Sequence, residues 1–299
     1  MIPNLLAAAA VLSMGAAITA AAAQEAPAEA PAWTKQFPDW VEPVEPFQIE
    51  GPIHYVGTKG LGAYLITTDE GHILLDGAGP GYEDLVVENI ETLGYSIADV
   101  KILLNSHAHY DHSGGLAKLK ELSSAQLFAM KEDVDQLERG VYAGSEDDES
   151  LMAPPVKVDG LLFHRDTVAY GGIQMVGWLT PGHSPGCTSW WMTVGEGETA
   201  KEVLFFCSAS VAANSLVPEQ YPGIVADYQT TFEMTKDWQP DIFLANHPFY
   251  SDLWTARERQ LAGEEDPFAD NGQFQKMIRG LEASFEMALT AQQARAAKE

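Results

Sequence analysis

Four side chains that can bind a transition metal lie within six positions of the chain: His107, His109, Asp111 and His112. Imidazole nitrogens and carboxylate oxygens are ligands that zinc accepts. In a short loop, the alternation of side-chain direction along the backbone turns His107 and His109 toward one point and leaves Asp111 and His112 facing a neighbouring point. One ion cannot take all four at tetrahedral angles, so the spacing predicts two adjacent metal ions.

Two distant histidines occupy the same kind of position as this motif. The motif follows the apolar run Val100–Leu104, His183 follows Ile173–Leu179, and His247 follows Asp241–Ala245. Sites in αβ proteins lie in the loops that leave the carboxyl ends of strands. We therefore predict that three loops bring their histidines to a single metal centre.

The remaining histidines and the two cysteines do not share this setting. His54 is expected in a strand and His72 in a turn, and we interpret both, with His164, as structural. Cys187 and Cys207 are too few for a disulfide framework, and they flank a predicted hairpin. We expect two buried thiols, and a bridge between them is the alternative.

The elements that must position the motifs are predicted from hydrophobic periodicity and turn residues. The predicted strands are Ile53–Val56, Ala63–Thr67, His72–Asp76, Val100–Leu104, Thr167–Tyr170, Ile173–Leu179, Ser189–Val194, Val203–Cys207 and Asp241–Ala245. The predicted helices are Tyr82–Leu93, Leu116–Leu122, Tyr228–Trp238 and Asn271–Ala291. Strands and helices intermix in both halves, which favours two packed sheets with helices outside. The acidic segment Glu138–Pro155 is predicted to be an exposed loop.

The composition limits the classes of partner. The chain of 299 residues is 46% hydrophobic, which is ample for one sizeable core. Its 43 acidic and 17 basic residues give a net charge of −26. This charge repels phosphate backbones and anionic lipids, so we expect neither a nucleic acid nor a membrane surface as partner. We expect a monomer that acts on a small molecule.

The first 23 residues have the features of a removable export signal. The run Leu5–Ala23 is almost wholly apolar, and it ends in three alanines of the kind that a signal peptidase requires. A transmembrane anchor is the alternative, but alanine is only weakly apolar, and we favour cleavage. We therefore expect a periplasmic or secreted protein.

Two regions follow the predicted signal. Residues 24–46 are rich in Ala, Pro and Glu, and we interpret them as a tail or linker. Within this stretch Trp33, Phe37 and Trp40 are candidates for docking onto the domain. Residues 47–299 are predicted to form one domain, and no stretch of it is apolar enough to cross a membrane.

The His-x-His-x-Asp-His motif with two distant histidines resembles the metallo-β-lactamase superfamily, and the resemblance extends from Phe47 to the carboxyl terminus. It is closer still to subclass B3 of the true β-lactamases. The segments that resemble B3 are Tyr55–Thr58, Gly71–Gly77, Leu179–Ser189, Cys207–Val211 and Tyr221–Tyr228. This resemblance implies an α/β (α+β) fold, the αβ/βα four-layer sandwich, with a dinuclear zinc site at one edge.

The resemblance also implies a set of metal ligands and two Zn²⁺ ions per chain. His107, His109 and His183 would hold the first zinc, and Asp111, His112 and His247 would hold the second.

The strand that ends at Cys207 separates the members of this superfamily. Glyoxalase II-like hydrolases and lactonases place a bridging Asp there, whereas this chain has no acid from Leu204 to Asn214. Other lactamase subclasses use a cysteine ligand in this region, but they lack a histidine where His112 stands. The resemblance therefore favours a B3-like lactamase, and a secreted lactonase, esterase or thioesterase is the alternative.

The implied activity is hydrolysis of the β-lactam amide bond of penicillins, cephalosporins and carbapenems, the chemistry of antibiotic resistance. A metal-bound hydroxide would attack the carbonyl, with Asp111 orienting it as the catalytic residue. Ser208 and Ser210 resemble the B3 residues that order water and bind the substrate carboxylate, and Asn214 would assist them. The alternative is that these three are ordinary small loop residues.

Overall fold

A computed structural model of the chain describes residues 32–298. The predicted export signal lies outside the described residues. The strands are β1 Phe47–Glu50, β2 Ile53–Tyr55, β3 Tyr64–Thr68, β4 Gly71–Leu75, β5 Val100–Leu104, β6 Gln126–Met130, β7 Gly160–Leu162, β8 Thr167–Tyr170, β9 Ile173–Leu179, β10 Thr188–Val194, β11 Lys201–Phe206 and β12 Ile242–Ala245. The helices are α1 Ala32–Gln36, α2 Glu83–Thr92, α3 Tyr110–Ser113, α4 Leu116–Ser123, α5 Val134–Arg139, α6 Ile224–Thr235, α7 Leu253–Leu261 and α8 Gln273–Ala296.

The strands form two sheets. A seven-stranded sheet runs in sequence order from β1 to β7, antiparallel as far as β4 and parallel from β4 to β7. A five-stranded sheet has the order β12-β11-β10-β9-β8, in which only β11 and β12 are parallel. All nine predicted strands are present. The strands β1, β6 and β7 were missing from the predicted set; β1 and β7 are only four and three residues long, whereas the apolar run of β6 was overlooked.

Three separate hydrophobic cores show that the molecule has four layers. The first core lies between the two sheets, where Tyr64 packs edge-on against Phe205 with ring centroids 5.1 Å apart. The second core lies between the larger sheet and helices α2 and α4. The third lies between the smaller sheet and helices α6 and α8. This arrangement confirms the predicted αβ/βα sandwich.

Hydrogen bonds join the two sheets near the carboxyl ends of β5, β9, β11 and β12. The backbone N–H of Thr188 donates to the carbonyl of Ser106 (2.7 Å), and the Trp190 indole N–H donates to the carbonyl of Asn105 (3.1 Å). The hydroxyl of Tyr64 donates to the carbonyl of Ala245 (2.6 Å). The loops that carry the predicted metal ligands therefore leave both sheets at one edge. Within residues 32–298, no helix is both long enough and apolar enough to cross a membrane.

The aromatic residues before β1 dock onto the domain, as predicted. Trp33 is buried against Tyr82 and Tyr110, with ring centroids 5.5 and 5.8 Å apart. Trp40 lies 5.4 Å from the ring of His247, so this segment reaches the rim of the predicted metal centre.

The prediction of an exposed loop at Glu138–Pro155 is wrong for its first part. Val141, Tyr142 and Ala143 are buried. The side-chain amide of Gln220 donates to the Ala143 carbonyl (3.2 Å) and to the hydroxyl of Ser145 (2.7 Å). The acidic residues that follow are mostly exposed. Their charge masked the short apolar stretch that packs inward.

The expectation of free thiols is also wrong, because Cys187 and Cys207 form a disulfide with Cα atoms 5.8 Å apart. In the β10–β11 hairpin Trp190 pairs with Phe205. Both cysteines therefore fall just beyond the paired residues at the open end of the hairpin, where they meet. A bridged Cys207 offers no thiolate, which rules it out as a metal ligand.

We predict that the double variant Cys187→Ser/Cys207→Ser lowers the free energy of unfolding by about 3 kcal/mol. The bridge joins residues 20 positions apart, and a loop of that size restricts the unfolded chain by roughly this amount. Urea denaturation of both proteins, each loaded with zinc, measures the difference. An unchanged denaturation midpoint would show that the disulfide contributes nothing to stability.

Candidate metal centre

The His107–His112 motif spans the turn from β5 into helix α3. Asp111 and His112 lie in the single turn of α3, and both are buried. Gly115 is required just beyond, since a Cβ there would lie 2.1 Å from the carbonyl oxygen of Gly77. The close approach of these two backbones holds the motif against the loop that follows β4.

Three imidazoles form a first cluster. His109 Nδ1 lies 3.1 Å from His183 Nε2, and ligand atoms of His107, His109 and His183 all lie within 4.8 Å of one another. Nε2 of His107 is buried without a hydrogen-bond partner. Two ligands at tetrahedral angles on zinc are about 3.3 Å apart, given Zn–N bonds of about 2.0–2.1 Å. The spacing and the unpartnered nitrogen therefore fit a metal ion.

A carboxylate and two imidazoles form a second cluster beside the first. Oδ2 of Asp111 lies 3.1 Å from His112 Nε2 and 3.4 Å from His247 Nε2. The two imidazole nitrogens are 3.3 Å apart. These three distances also suit three ligands of one tetrahedral ion. The six predicted ligands thus form two adjacent groups of three, as the alternation in the motif indicated.

Hydrogen bonds on the far side of the rings orient the imidazoles. His183 Nδ1 donates to the carbonyl of Ser210 (2.8 Å), and His247 Nδ1 donates to the carbonyl of Gly60 (3.1 Å). A proton held on Nδ1 leaves the lone pair of Nε2 directed into the cluster. Such outer contacts fix the tautomer and the ring orientation of metal-binding histidines.

The protonation states of the first cluster and of Asp111 suit metal binding. Burial lowers the pKa of His183 to about 4, and burial with the neighbouring imidazoles places the pKa values of His107 and His109 well below 6.5. Burial opposes ionisation of Asp111, but the neighbouring His112 and His247 outweigh it and hold the Asp111 pKa well below its usual range. The first cluster is therefore neutral at pH 7, and the second carries a carboxylate.

Two buried carboxylates, Asp76 and Asp133, hold the loops carrying the predicted metal ligands and were not identified from the sequence. Asp76, directly after β4, accepts the N–H of Ser106 (2.7 Å) and lies 3.8 Å from Nδ1 of His112. Asp133, shortly after β6, lies under both ligand-bearing loops and is 1% exposed. Asp76 follows a buried strand as the ligands do, and that position was the signal that could have found it.

Asp133 joins the two loops that carry the first cluster. Its carboxylate accepts the N–H of Ala108 (2.9 Å), the hydroxyl of Ser184 (2.8 Å) and the N–H of Gly186 (2.6 Å). Burial raises its pKa to about 6. The three donors stabilise the ionised form of this carboxylate against the effect of burial.

The three predicted substrate-binding residues lie beside the first cluster but differ in accessibility. Ser210 is half-buried, and its hydroxyl is 3.1 Å from that of Ser208 and 3.3 Å from His183 Nδ1. Ser208 is buried beneath it. Asn214 is 4% exposed, and its amide is hydrogen-bonded at both ends, to Tyr142, to Tyr228 and to the carbonyl of His183.

The structural and sequence comparisons agree with this geometry. A family model of the metallo-β-lactamase superfamily matches residues 63–197. BJP-1, a subclass B3 metallo-β-lactamase of Bradyrhizobium japonicum, is 42% identical to this chain, and the match covers 86% of this chain and 98% of BJP-1 with a TM-score of 0.84. The chain therefore belongs to the metallo-β-lactamase superfamily and is a hydrolase of that class with a histidine-rich, metal-binding site.

Further relatives differ in how much of the chain they match. The FEZ-1 metallo-β-lactamase from Legionella gormanii is 31% identical over 84% of this chain and 98% of its own, with a TM-score of 0.79. A hydroxyacylglutathione hydrolase of Rhodospirillum rubrum is 25% identical over 126 residues, which are 42% of this chain and 41% of that enzyme. Both solved structures, BJP-1 and FEZ-1, which match 84–86% of this chain, are thus metallo-β-lactamases, and BJP-1 belongs to subclass B3.

Proposed function

We propose that this protein is a dinuclear zinc hydrolase that opens the β-lactam amide bond of penicillins, cephalosporins and carbapenems. The observation that carries the proposal is the pair of adjacent clusters, His107/His109/His183 and Asp111/His112/His247, each with ligand atoms at the spacing of one zinc ion. Each cluster would hold one Zn²⁺, which gives two per chain.

The residues around the clusters have distinct tasks in this proposal. Zinc, when bound, supplies a water molecule of lowered pKa and a Lewis acid for the carbonyl. Asp111, whose carboxylate is ionised and buried, binds metal and orients the attacking oxygen. Ser210 is half-buried beside His183, where its hydroxyl would donate to the substrate carboxylate, and Ser208 supports it from beneath.

The residues that follow β11 argue against the alternative hydrolases. A lactonase or glyoxalase II-like enzyme would place a bridging acid there, whereas this chain has the disulfide-bonded Cys207 and then Ser208. Among the six residues that would hold the two ions, Asp111 is the only carboxylate. This difference favours a β-lactam over a lactone, ester or thioester.

The cellular setting is part of the same proposal. We propose export to the periplasm or the medium, with residues 1–23 as the signal, and action as a monomer on a small molecule. The net charge of −26 is compatible with an anionic substrate only because divalent cations dominate their own site.

We predict that the mature protein hydrolyses a chromogenic cephalosporin and a carbapenem only when it holds zinc. Removal of zinc with a chelator should abolish turnover of both, and added zinc should restore it, because without metal the site has no activated water. Absorbance assays with metal analysis of the same samples provide the measurement.

Two outcomes would contradict this function in different ways. Turnover that survives complete chelation would show that zinc is not used in the reaction. A folded protein that holds two zinc ions and leaves both β-lactams intact would redirect the assays to lactone and thioester substrates.

A further inference from the structure

Tyr142, a residue outside the six ligands, is in direct contact with the first cluster. Its ring stacks on the ring of His109 with centroids 4.1 Å apart and planes 11° from parallel. His109 uses Nδ1 toward the cluster, and no hydrogen bond fixes the rest of its ring among the described contacts. The stack with Tyr142 therefore restricts rotation of the His109 ring, together with the edge contacts that His109 makes with the rings of His107 and His183.

The hydroxyl of Tyr142 continues this contact to the second histidine of the cluster. It donates to Oδ1 of Asn214 (2.8 Å), and Nδ2 of Asn214 donates to the backbone carbonyl of His183 (3.0 Å). Asn214 thus connects the residue that stacks on His109 with the backbone that carries His183. These groups are buried, so water does not compete with the hydrogen bonds.

A second branch of the network reaches the imidazole of His183 itself. Nδ2 of Asn214 also donates to the hydroxyl of Tyr228 (3.1 Å), and that hydroxyl donates to the carbonyl of Ser210 (2.8 Å). The same carbonyl accepts a hydrogen bond from Nδ1 of His183. The network therefore holds the backbone, the ring and the tautomer of His183.

We propose that Tyr142 and Asn214 are positioning residues that pre-organise His109 and His183 for the first metal ion, and that Asn214 does not contact the substrate. The inference rests on the proposed metal site, and it goes further by assigning residues outside the ligand set. It also gives a role to the apolar start of the acidic segment Glu138–Pro155. The segment supplies Tyr142. The hydrogen bonds from the side-chain amide of Gln220 to Ala143 and Ser145 hold this segment in place.

The experiment is titration of the metal-free full chain with zinc and with cobalt, in competition with a chromogenic chelator and without any substrate. Tyr142→Leu should raise the Kd of one of the two ions about 10–100-fold, the range seen when outer partners of ligands are lost. Tyr142→Phe keeps the stack and loses one hydrogen bond, so its effect should be about threefold to tenfold. Asn214→Ala should raise the Kd of the same ion.

Tyr170→Phe is the matched control, because its hydroxyl donates to the carbonyl of Glu70 far from the ligands. That variant should bind both ions as the wild type does. The cobalt absorption bands of the first site should shift in Tyr142→Leu and Asn214→Ala and stay unchanged in the control. Circular dichroism of the metal-free proteins checks the fold, and if Tyr142→Leu does not fold, Tyr142→Phe and Asn214→Ala decide the question.

Three results separate the alternatives. Wild-type Kd values for both ions in folded Tyr142 and Asn214 variants would overturn the inference. A raised KM in Asn214→Ala at saturating zinc, with an unchanged metal Kd, would make Asn214 a substrate contact and would also overturn it. A wild type that binds two ions but turns over no β-lactam would remove the proposed function and leave this inference standing.

Discussion

Replacing His183 with alanine is expected to lower kcat/KM for a β-lactam about 10³-fold and to remove one of two bound zinc ions. The first cluster consists of three imidazoles, and His183 Nε2 lies 3.1 Å from His109 Nδ1. Two remaining ligands leave the ion weakly held. Loss of this ion would remove several kcal/mol of transition-state stabilisation at the substrate carbonyl. A loss of this size corresponds to the expected decrease of about 10³-fold in kcat/KM.

Metal analysis and steady-state kinetics at defined free zinc concentrations measure both effects. His247→Ala should also remove one ion, but from the second cluster, so cobalt spectra of the two variants should differ. His164→Ala is the control, because His164 contacts Trp178 and the backbone of Leu179 rather than the metal centre. Identical spectra for His183→Ala and His247→Ala would contradict the division into two clusters.

The second large effect is on stability, where Asp133→Ala is expected to lower the free energy of unfolding by about 3–5 kcal/mol. The substitution leaves the N–H groups of Ala108 and Gly186 and the hydroxyl of Ser184 without their acceptor. Each buried donor left unpaired costs about 1–3 kcal/mol, and relief of the buried charge offsets part of this sum. Urea denaturation at pH 7 of the two metal-free proteins measures it.

Asp135→Ala is the matched control, since Asp135 is exposed and forms only a surface ion pair with Arg139. Its stability should stay near that of the wild type. A similar loss in both variants would mean that the carboxylate of Asp133 has no special part in joining the ligand loops.

Acidification should increase the stability difference between the wild type and Asp133→Ala. Burial raises the pKa of Asp133 to about 6 from its ordinary 3.8, so the folded protein binds this proton more tightly than the unfolded chain. The stability linked to the proton is complete below the unfolded pKa and is lost as the pH rises through about 6. The difference between the two proteins should therefore be about 1 kcal/mol larger at pH 5 than at pH 7. A constant difference would contradict the raised pKa.

The sequence by itself predicted the six candidate ligands, which the structure brings together, and most of the elements that carry them. Ligand types clustered within a few positions are visible without any structure, and short, mostly apolar runs such as Val100–Leu104 favour a covered strand. His183 and His247 were found by the same rule, because each follows a run of this kind. The alternation between His107 and His112 also predicted that the candidate ligands form two adjacent groups.

Tertiary structure alone decided how these ligands are held. Tyr142, Asp133 and Asn214 come from segments in which no helix or strand was predicted, and hydrogen-bond partners of theirs lie 25 to 72 positions away in the chain. The disulfide likewise depends on the register of β10 against β11 and not on the number of cysteines. Local periodicity records which face of an element is buried, whereas it carries no information on which distant group a buried polar atom meets. For that reason the candidate metal ligands were predictable from the sequence, and the network that orients them was not.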